Sequence, residues 1–202
     1  MPKILVLYYS AYGHIQSMAN AVAEGVRRVP DVDVDVRRVP ETIPENVREK
    51  SGYIKDDTVM ATVAGLEAYD AIIIGTPTRF GLMAGQMKLF LDAAGGLWAR
   101  NSLVGKVGAV FTSTGTQHGG QEATILSSHL PLLHFGMIVV GLPYSFTGQM
   151  STTDIVGGSP YGAGTIVGPD GSRAQAETDY DGARFQGEHV ARIVHRLFPA
   201  EA

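Results

Sequence analysis

The stretch Lys3-Ile4-Leu5-Val6-Leu7-Tyr8-Tyr9-Ser10-Ala11-Tyr12-Gly13-His14-Ile15 decides the fold. A continuous apolar run stops abruptly in small and polar residues. A helical repeat then begins with Ile15, Met18, Ala19, Val22, Ala23 and Val26. The pattern predicts a buried strand, a tight turn and a helix over 14–28 that stops before Pro30. The strand has no polar alternation, so both of its faces are covered, as in a central parallel strand. The turn leaves amides at the helix start without partners. Such a turn can hold a phosphate, because its donors converge and the helix dipole favours negative charge.

The same grammar repeats outward from there. Asp31 to Val36 alternates strictly and suits a half-buried strand near an edge. Tyr69 to Gly75 and Lys106 to Phe111 are further apolar runs, and Gly136 to Val140 is a fifth. Helical patterns lie at about 63–68, 84–94, 120–130 and 180–198, with Gly95-Gly96 read as the stop of the 84–94 helix. Strands alternating with helices predict a parallel, doubly wound α/β sheet. With five strands this is a flavodoxin-like three-layer α/β/α sandwich of order 2-1-3-4-5. Ligands then bind at the carboxyl ends of the strands, at the switch point between strands 1 and 3. Two segments exceed this minimal plan, about 40–58, rich in charge and proline, and about 141–177, rich in Gly, Ser, Thr and Pro. A 141–177 loop of that length points to function or to packing on a neighbour, and both segments are expected to wall the ligand pocket across a subunit interface.

Composition narrows the classes. The 202 residues suit a single domain spanning 1–202, with 45% apolar and 18% charged residues. No cysteine is present, which removes disulfides, thiolate metal sites and thiol catalysis. No apolar run reaches about 18 residues, so no membrane span is expected. The N-terminus lacks a secretion signal, in keeping with a cytoplasmic protein. The formal charge of −4, without a basic stripe, argues against nucleic-acid binding. His189 and His195 are six apart, which is not the spacing of a helical metal pair, so no metal is expected.

The predicted topology brings three loops to one edge: Ser10–Ile15, Thr76–Gly81 and Ser113–Gly120. All are rich in Gly, Ser and Thr. The first offers a hydroxyl and clustered amides for a terminal phosphate. The other two offer backbone donors and acceptors at Gly-relaxed turns, with Phe80 as an apolar wall, which suits a planar heterocycle with a polar rim. The first loop has one glycine rather than Gly-x-Gly-x-x-Gly, and no Gly-Lys-Ser/Thr follows it. A flavin mononucleotide, FMN, fits these three loops best.

At these residues the chain resembles the WrbA family of NAD(P)H:quinone oxidoreductases. The resemblance rests on Leu5–Ile15, Gly75–Gly81, Gly95–Trp98 and Ser113–Thr116, with Pro160–Ala163 and Asp170–Arg173. It covers nearly the whole chain. It implies FMN as cofactor, a homotetramer, and two-electron reduction of quinones by NADH or NADPH through hydride transfer at flavin N5, with the chemistry on FMN and no catalytic side chain. It assigns the phosphate to Ser10, Ala11, Tyr12, Gly13, His14 and Ile15. It assigns the ring system to Thr76, Pro77, Thr78, Arg79, Phe80 and Gly81, to Ser113, Thr114, Gly115, Thr116, Gln117, His118, Gly119 and Gly120, and to His134, reaching from near strand 5. Tyr12 matches its nicotinamide-contacting position and Trp98 its quinone-contacting position. The 116–120 segment is one residue longer than the family pattern.

Plainer readings stand beside these. Arg79 is either a positive charge at the flavin pyrimidine edge or a solvated arginine. Trp98 either caps the flavin or packs in the core or at a subunit contact. His134 is either a ligand contact or a satisfied core histidine, and His14 serves through its amide with its ring exposed. Two other functions remain open: a flavodoxin-type electron carrier with no substrate pocket, and a non-catalytic regulatory binding protein.

Overall fold

The structure is a computed structural model and describes residues 1–199. Its elements run β1 (Lys3–Tyr8), α1 (His14–Val26), β2 (Asp33–Arg38), α2 (Glu45–Lys50), β3 (Ala71–Arg79), β4 (Leu82–Met83), α3 (Gly85–Asp92), α4 (Gly95–Ala99), β5 (Val107–Thr114), α5 (Gln121–His134), β6 (Ile138–Val139), β7 (Gly164–Ile166) and α6 (Glu177–Leu197). Single-turn 3-10 helices lie at Ala64–Ala68 and Thr147–Met150.

The sheet order is β2-β1-β3-β5-β6, with all four neighbouring pairs parallel. Apart from the small hairpin strand β4, this is the expected order 2-1-3-4-5. Residues of β1 divide by parity. Ile4, Val6 and Tyr8 enter a core with α1 and α6, while Leu5 and Leu7 enter a second core with α3 and α5. That two-sided burial is why the opening run shows no polar alternation. β2 is the edge strand, partly exposed along its length, as its alternation requires.

The fifth strand position differs from expectation. β6 pairs with β5 only at Val107 and Gly108, and β7 takes up the same side of β5 again at Thr112–Thr114. The edge is therefore filled in two pieces, and the chain between them makes an excursion before returning. The exit of β7 leads straight to the carboxyl ends of the strands.

Two helix boundaries also move. Gly95 and Gly96 do not close α3, which ends at Asp92 with Ala93 as its cap; they open α4, so Trp98 sits on a helix. α5 continues to His134, with Pro131 inside it. Among the described residues no helix is long and apolar enough to cross a membrane.

Candidate active site

The ends of β1, β3 and β5 converge on a cleft of about 510 Å³. Ser10, Ala11, Tyr12, His14 and Ile15 line it from the first loop, Pro77, Thr78 and Arg79 from the second, and Ser113, Thr114 and Gly115 from the third. A fourth segment, Val167 to Gly171, completes the wall.

The first loop is shaped by Gly13, which adopts φ 90° at the N-cap of α1, a left-handed conformation that glycine reaches without strain. The Gly13 amide donates to Ser10 Oγ at 3.0 Å, so the Ser10 hydroxyl proton is left for another acceptor. Among the described residues the amides of Ala11, Tyr12, His14 and Ile15 find no acceptor in the chain. Free donors at a helix start form an anion site. The 40–58 excursion braces this loop: Ile54 N donates to Ala11 O at 3.0 Å, and Asp56 accepts from Tyr8 OH at 2.7 Å and Gln16 Nε2 at 3.0 Å. Burial pushes the Tyr8 phenol well above its ordinary pKa, keeping it a neutral donor to Asp56. Tyr12 is half exposed, with its ring edge-on to Tyr53 at 5.2 Å. The His14 ring is not left free; its Nε2 donates to Gly171 O at 3.1 Å.

The second segment is more regular than expected. β3 runs through Arg79, so Thr76 to Arg79 is strand, and Phe80 and Gly81 form the turn into β4. Thr76 is fully buried, where its hydroxyl accepts from Ala84 N at 2.9 Å, and it does not line the cleft. Phe80 has φ 55° and a fully exposed side chain. It projects from the turn and does not wall this cleft. Thr78 Oγ1 accepts from Thr124 Oγ1 at 2.7 Å, and Arg79 Nη1 donates to Thr78 O at 2.8 Å. These bonds hold the strand end and set the guanidinium at the cleft wall.

In the third segment, Ser113, Thr114 and Gly115 face the cleft, while Thr116 to Gly120 arcs away towards α5. Thr114 Oγ1 donates to Thr116 O at 2.9 Å and Gly119 N to Thr116 O at 3.1 Å, closing a compact turn. Thr116, Gln117 and His118 are exposed there. Gly120, at φ 88°, starts α5.

His134 and Trp98 lie elsewhere. His134 is the last residue of α5, about 20 Å along the helix from the cleft end at ~1.5 Å per residue. With Trp98 it lines a second, apolar groove of about 520 Å³ that includes Leu82, Leu91, Leu130, Pro131 and Phe135. Within one chain these two side chains meet each other's groove and not the loop cleft. The 141–177 excursion was expected to wall the pocket across a subunit interface; its Val167–Gly171 part does so within one chain. Its signal is the turn-forming run Gly168-Pro169-Asp170-Gly171-Ser172, with φ 82° at Gly168 and 76° at Gly171.

The donor set fits a flavin mononucleotide. Free amides and the Ser10 hydroxyl at the start of α1 suit a phosphate monoester. The main-chain edges of Pro77–Arg79 and Ser113–Gly115 suit a flat polar ring. The volume falls in the ~300–1,000 Å³ range of cofactor sites. Fold and site together define a flavodoxin-like protein with a mononucleotide cleft at its switch point. The NADPH-dependent FMN reductase family matches residues 2–151. Two relatives named NAD(P)H dehydrogenase (quinone) are similar end to end. One, from Geotalea uraniireducens (strain Rf4), is 60% identical over 96% of this chain and 98% of its own. The other, from Paracoccus denitrificans (strain Pd 1222), is 62% identical over 98% and 96%. Among solved structures, the flavodoxin, WrbA-like protein from Agrobacterium tumefaciens superposes with a TM-score of 0.69 at 26% identity, covering 97% of this chain and 99% of that one. The chain therefore belongs to the NADPH-dependent FMN reductase family, in its WrbA-like NAD(P)H dehydrogenase (quinone) branch, and is an FMN-dependent oxidoreductase.

Proposed function

We propose that the chain reduces quinones at the expense of NADH or NADPH, by a ping-pong exchange in which both substrates use the same open face of the cleft. The observation that carries this reading is the convergence of three loops, with unpaired donors at the start of α1, on one cleft. FMN, when bound, supplies a two-electron centre that accepts hydride from a nicotinamide and returns two electrons to a quinone.

The chain's own residues bind and orient. Ser10 and the amides of the first turn of α1 hold the phosphate. Pro77 to Arg79 and Ser113 to Gly115 present backbone groups to the ring edge, and the Arg79 guanidinium favours negative charge there. Tyr12 contacts the nicotinamide in this reading, which its half-exposed ring, buttressed by Tyr53, supports. No side-chain nucleophile is needed.

The apolar groove supports a homotetramer. Phe80, Leu82, Leu89, Trp98, Leu130 and Leu133 are all exposed, an apolar surface expected to be covered by another copy. Trp98 and His134 then serve a neighbour's cleft, Trp98 as a quinone contact. Cytoplasmic residence completes the reading. A flavodoxin-type carrier would have no need of such a groove.

The test is a visible spectrum of purified protein with FMN, taken before NADH, after NADH and after benzoquinone. Bleaching and recovery with steady turnover are expected, with parallel lines in initial-velocity plots. Bleaching without quinone turnover would favour the carrier, and intersecting lines would overturn the shared-face order.

A further inference from the structure

The fourth wall of the cleft is held partly from outside it. Val167 N donates to Thr114 O at 2.9 Å, extending the β5–β7 ladder by one step. Arg173 N donates back to Val167 O at 2.9 Å and Gly171 N to Gly168 O at 3.1 Å, so the segment closes on itself. Asp170 is turned inward on this loop, its Oδ1 accepting from Ser172 N at 3.1 Å and Ser172 Oγ at 2.8 Å. The segment presses on both flanking ligand loops. A Cβ on Gly115 would stand 3.2 Å from Gly168 O, and one on Gly171 would stand 3.3 Å from His14 Cε1.

The fastening is made by two side chains. His14 Nε2 donates to Gly171 O at 3.1 Å. Just past the loop, Gln175 Nε2 donates to His14 O at 3.2 Å, while its Oε1 accepts from Ser17 Oγ at 2.6 Å and Tyr180 OH at 2.9 Å. Gln175 thus ties the exit of the loop to the first turn of α1 and the first turn of α6. It does not itself line the cleft.

We propose that Gln175 and the His14 ring are positioning residues that clamp the 167–171 segment against the FMN cleft, so that the chain retains its cofactor by slowing its escape. The inference rests on the FMN reading above. The phosphate donors belong to the first loop, which Gly13, the Ile54 N–Ala11 O bond and the Ser17 Oγ–His14 O bond also hold. Loosening the clamp removes support from the bound state more than from the encounter, and changes in affinity within one interface fall mainly on dissociation.

The test follows FMN fluorescence during binding to, and release from, cofactor-stripped full-length protein. Gln175→Leu keeps the bulk and removes all three bonds; Ser17 Oγ can still donate to His14 O at 2.9 Å. The expected result is release about tenfold faster, with association changed by less than about threefold. His14→Phe should also speed release, and His14→Gln, whose amide can still donate to Gly171 O, should restore most of the slow release. The double variant Gln175→Leu/His14→Phe should fall short of the product of the two effects, because both free one segment. Release from Gln175→Leu and His14→Phe at the wild-type rate, with tight binding by wild type, overturns the clamp. Failure of wild type itself to bind FMN overturns the cofactor reading instead. If Gln175→Leu also loses the thermal transition of the cofactor-free protein, the contrast between His14→Phe and His14→Gln decides: equal release rates for those two overturn the clamp.

Discussion

Gln186 Nε2 donates to Val110 O at 3.1 Å, and this side chain stands where a strand is missing. β6 serves β5 up to Gly108 and β7 resumes at Thr112, so Val110 faces the gap between them. Gln186, fully buried on α6, fills it; its Oε1 also accepts from Ala163 N at 2.9 Å, just before β7. One amide side chain therefore satisfies a strand on each side of the break and fixes where β7 begins. Gln186→Leu, similar in volume, would leave two buried main-chain groups unpaired. At about 1–3 kcal/mol each, a loss of about 2–6 kcal/mol is expected. Urea unfolding of cofactor-free protein checks it, and a change under about 0.5 kcal/mol would show that water replaces the amide.

Ser10 offers a sharper probe of the phosphate assignment. Its oxygen already accepts from Gly13 N, so its proton is the part available to a ligand. Ser10→Ala removes that donor and the support of the Gly13 amide together. A hydrogen bond to a charged group contributes about 1.5–3 kcal/mol, so FMN affinity should fall about 10- to 150-fold. Riboflavin, which has no phosphate, should bind both proteins alike in a fluorescence titration. An equal loss for both ligands would place the phosphate elsewhere.

How much of this was readable from the sequence depended on locality. The apolar run Ile4–Tyr8 and the turn at Gly13 announce strand, turn and helix within a dozen residues, because burial pattern and backbone conformation are local. The division of the fifth strand was hidden, since β6 and β7 are short and their place is set by pairing with β5 across a long excursion. Gln186 was invisible for the same reason: a buried glutamine on a helix declares no partner. In the site, Ser10, Thr78 and Ser113 were found from their loops. Which residues of the 141–177 excursion wall the pocket, and that they do so within one chain, was hidden, because Val167–Gly171 reaches the cleft through β7 rather than through the β-α turns that the topology singles out. Thr76 and Phe80 show the limit in the other direction: sharing a motif with Pro77 and Thr78 did not decide which side chains face the cleft, because Thr76 is buried against Ala84 N and Phe80 lies past the end of β3 in an exposed turn.

Acid should loosen the fold through histidine. His129 and His189 are both held below the ordinary histidine range by burial. A group whose folded pKa is depressed binds protons more readily when unfolded. Its contribution is present above the unfolded value near 6.5 and is lost as pH falls through the lower folded value. Stability should therefore decline from about pH 6.5 downward. Asp179 acts in the opposite sense: burial raises its pKa, so its contribution is lost as pH rises through the raised value. His129→Gln isolates the histidine part. Thermal midpoints from pH 7.5 to 5 should fall less steeply for that variant than for wild type, and parallel curves would rule His129 out.

The groove holding Trp98 and His134 makes the last prediction. Trp98 is 59% exposed and Leu130 58%, on α4 and α5, which meet over Leu82 and Leu91. Uncovered, such a surface is costly, at about 25 cal/mol per Å² of apolar area kept in water. No residue lines both that groove and the loop cleft of one chain, so assembly can be disturbed without altering the phosphate donors of the first loop. Leu130→Glu, which puts a charge into a contact expected to exclude water, should shift the sedimentation mass downward. Trp98→Ala should leave the mass closer to wild type and raise the KM for benzoquinone more than that for NADH. If Leu130→Glu keeps the full mass, the groove is not the subunit contact. If the smaller species formed by Leu130→Glu retains full quinone turnover, each chain works alone and Trp98 has no part in a neighbour's cleft.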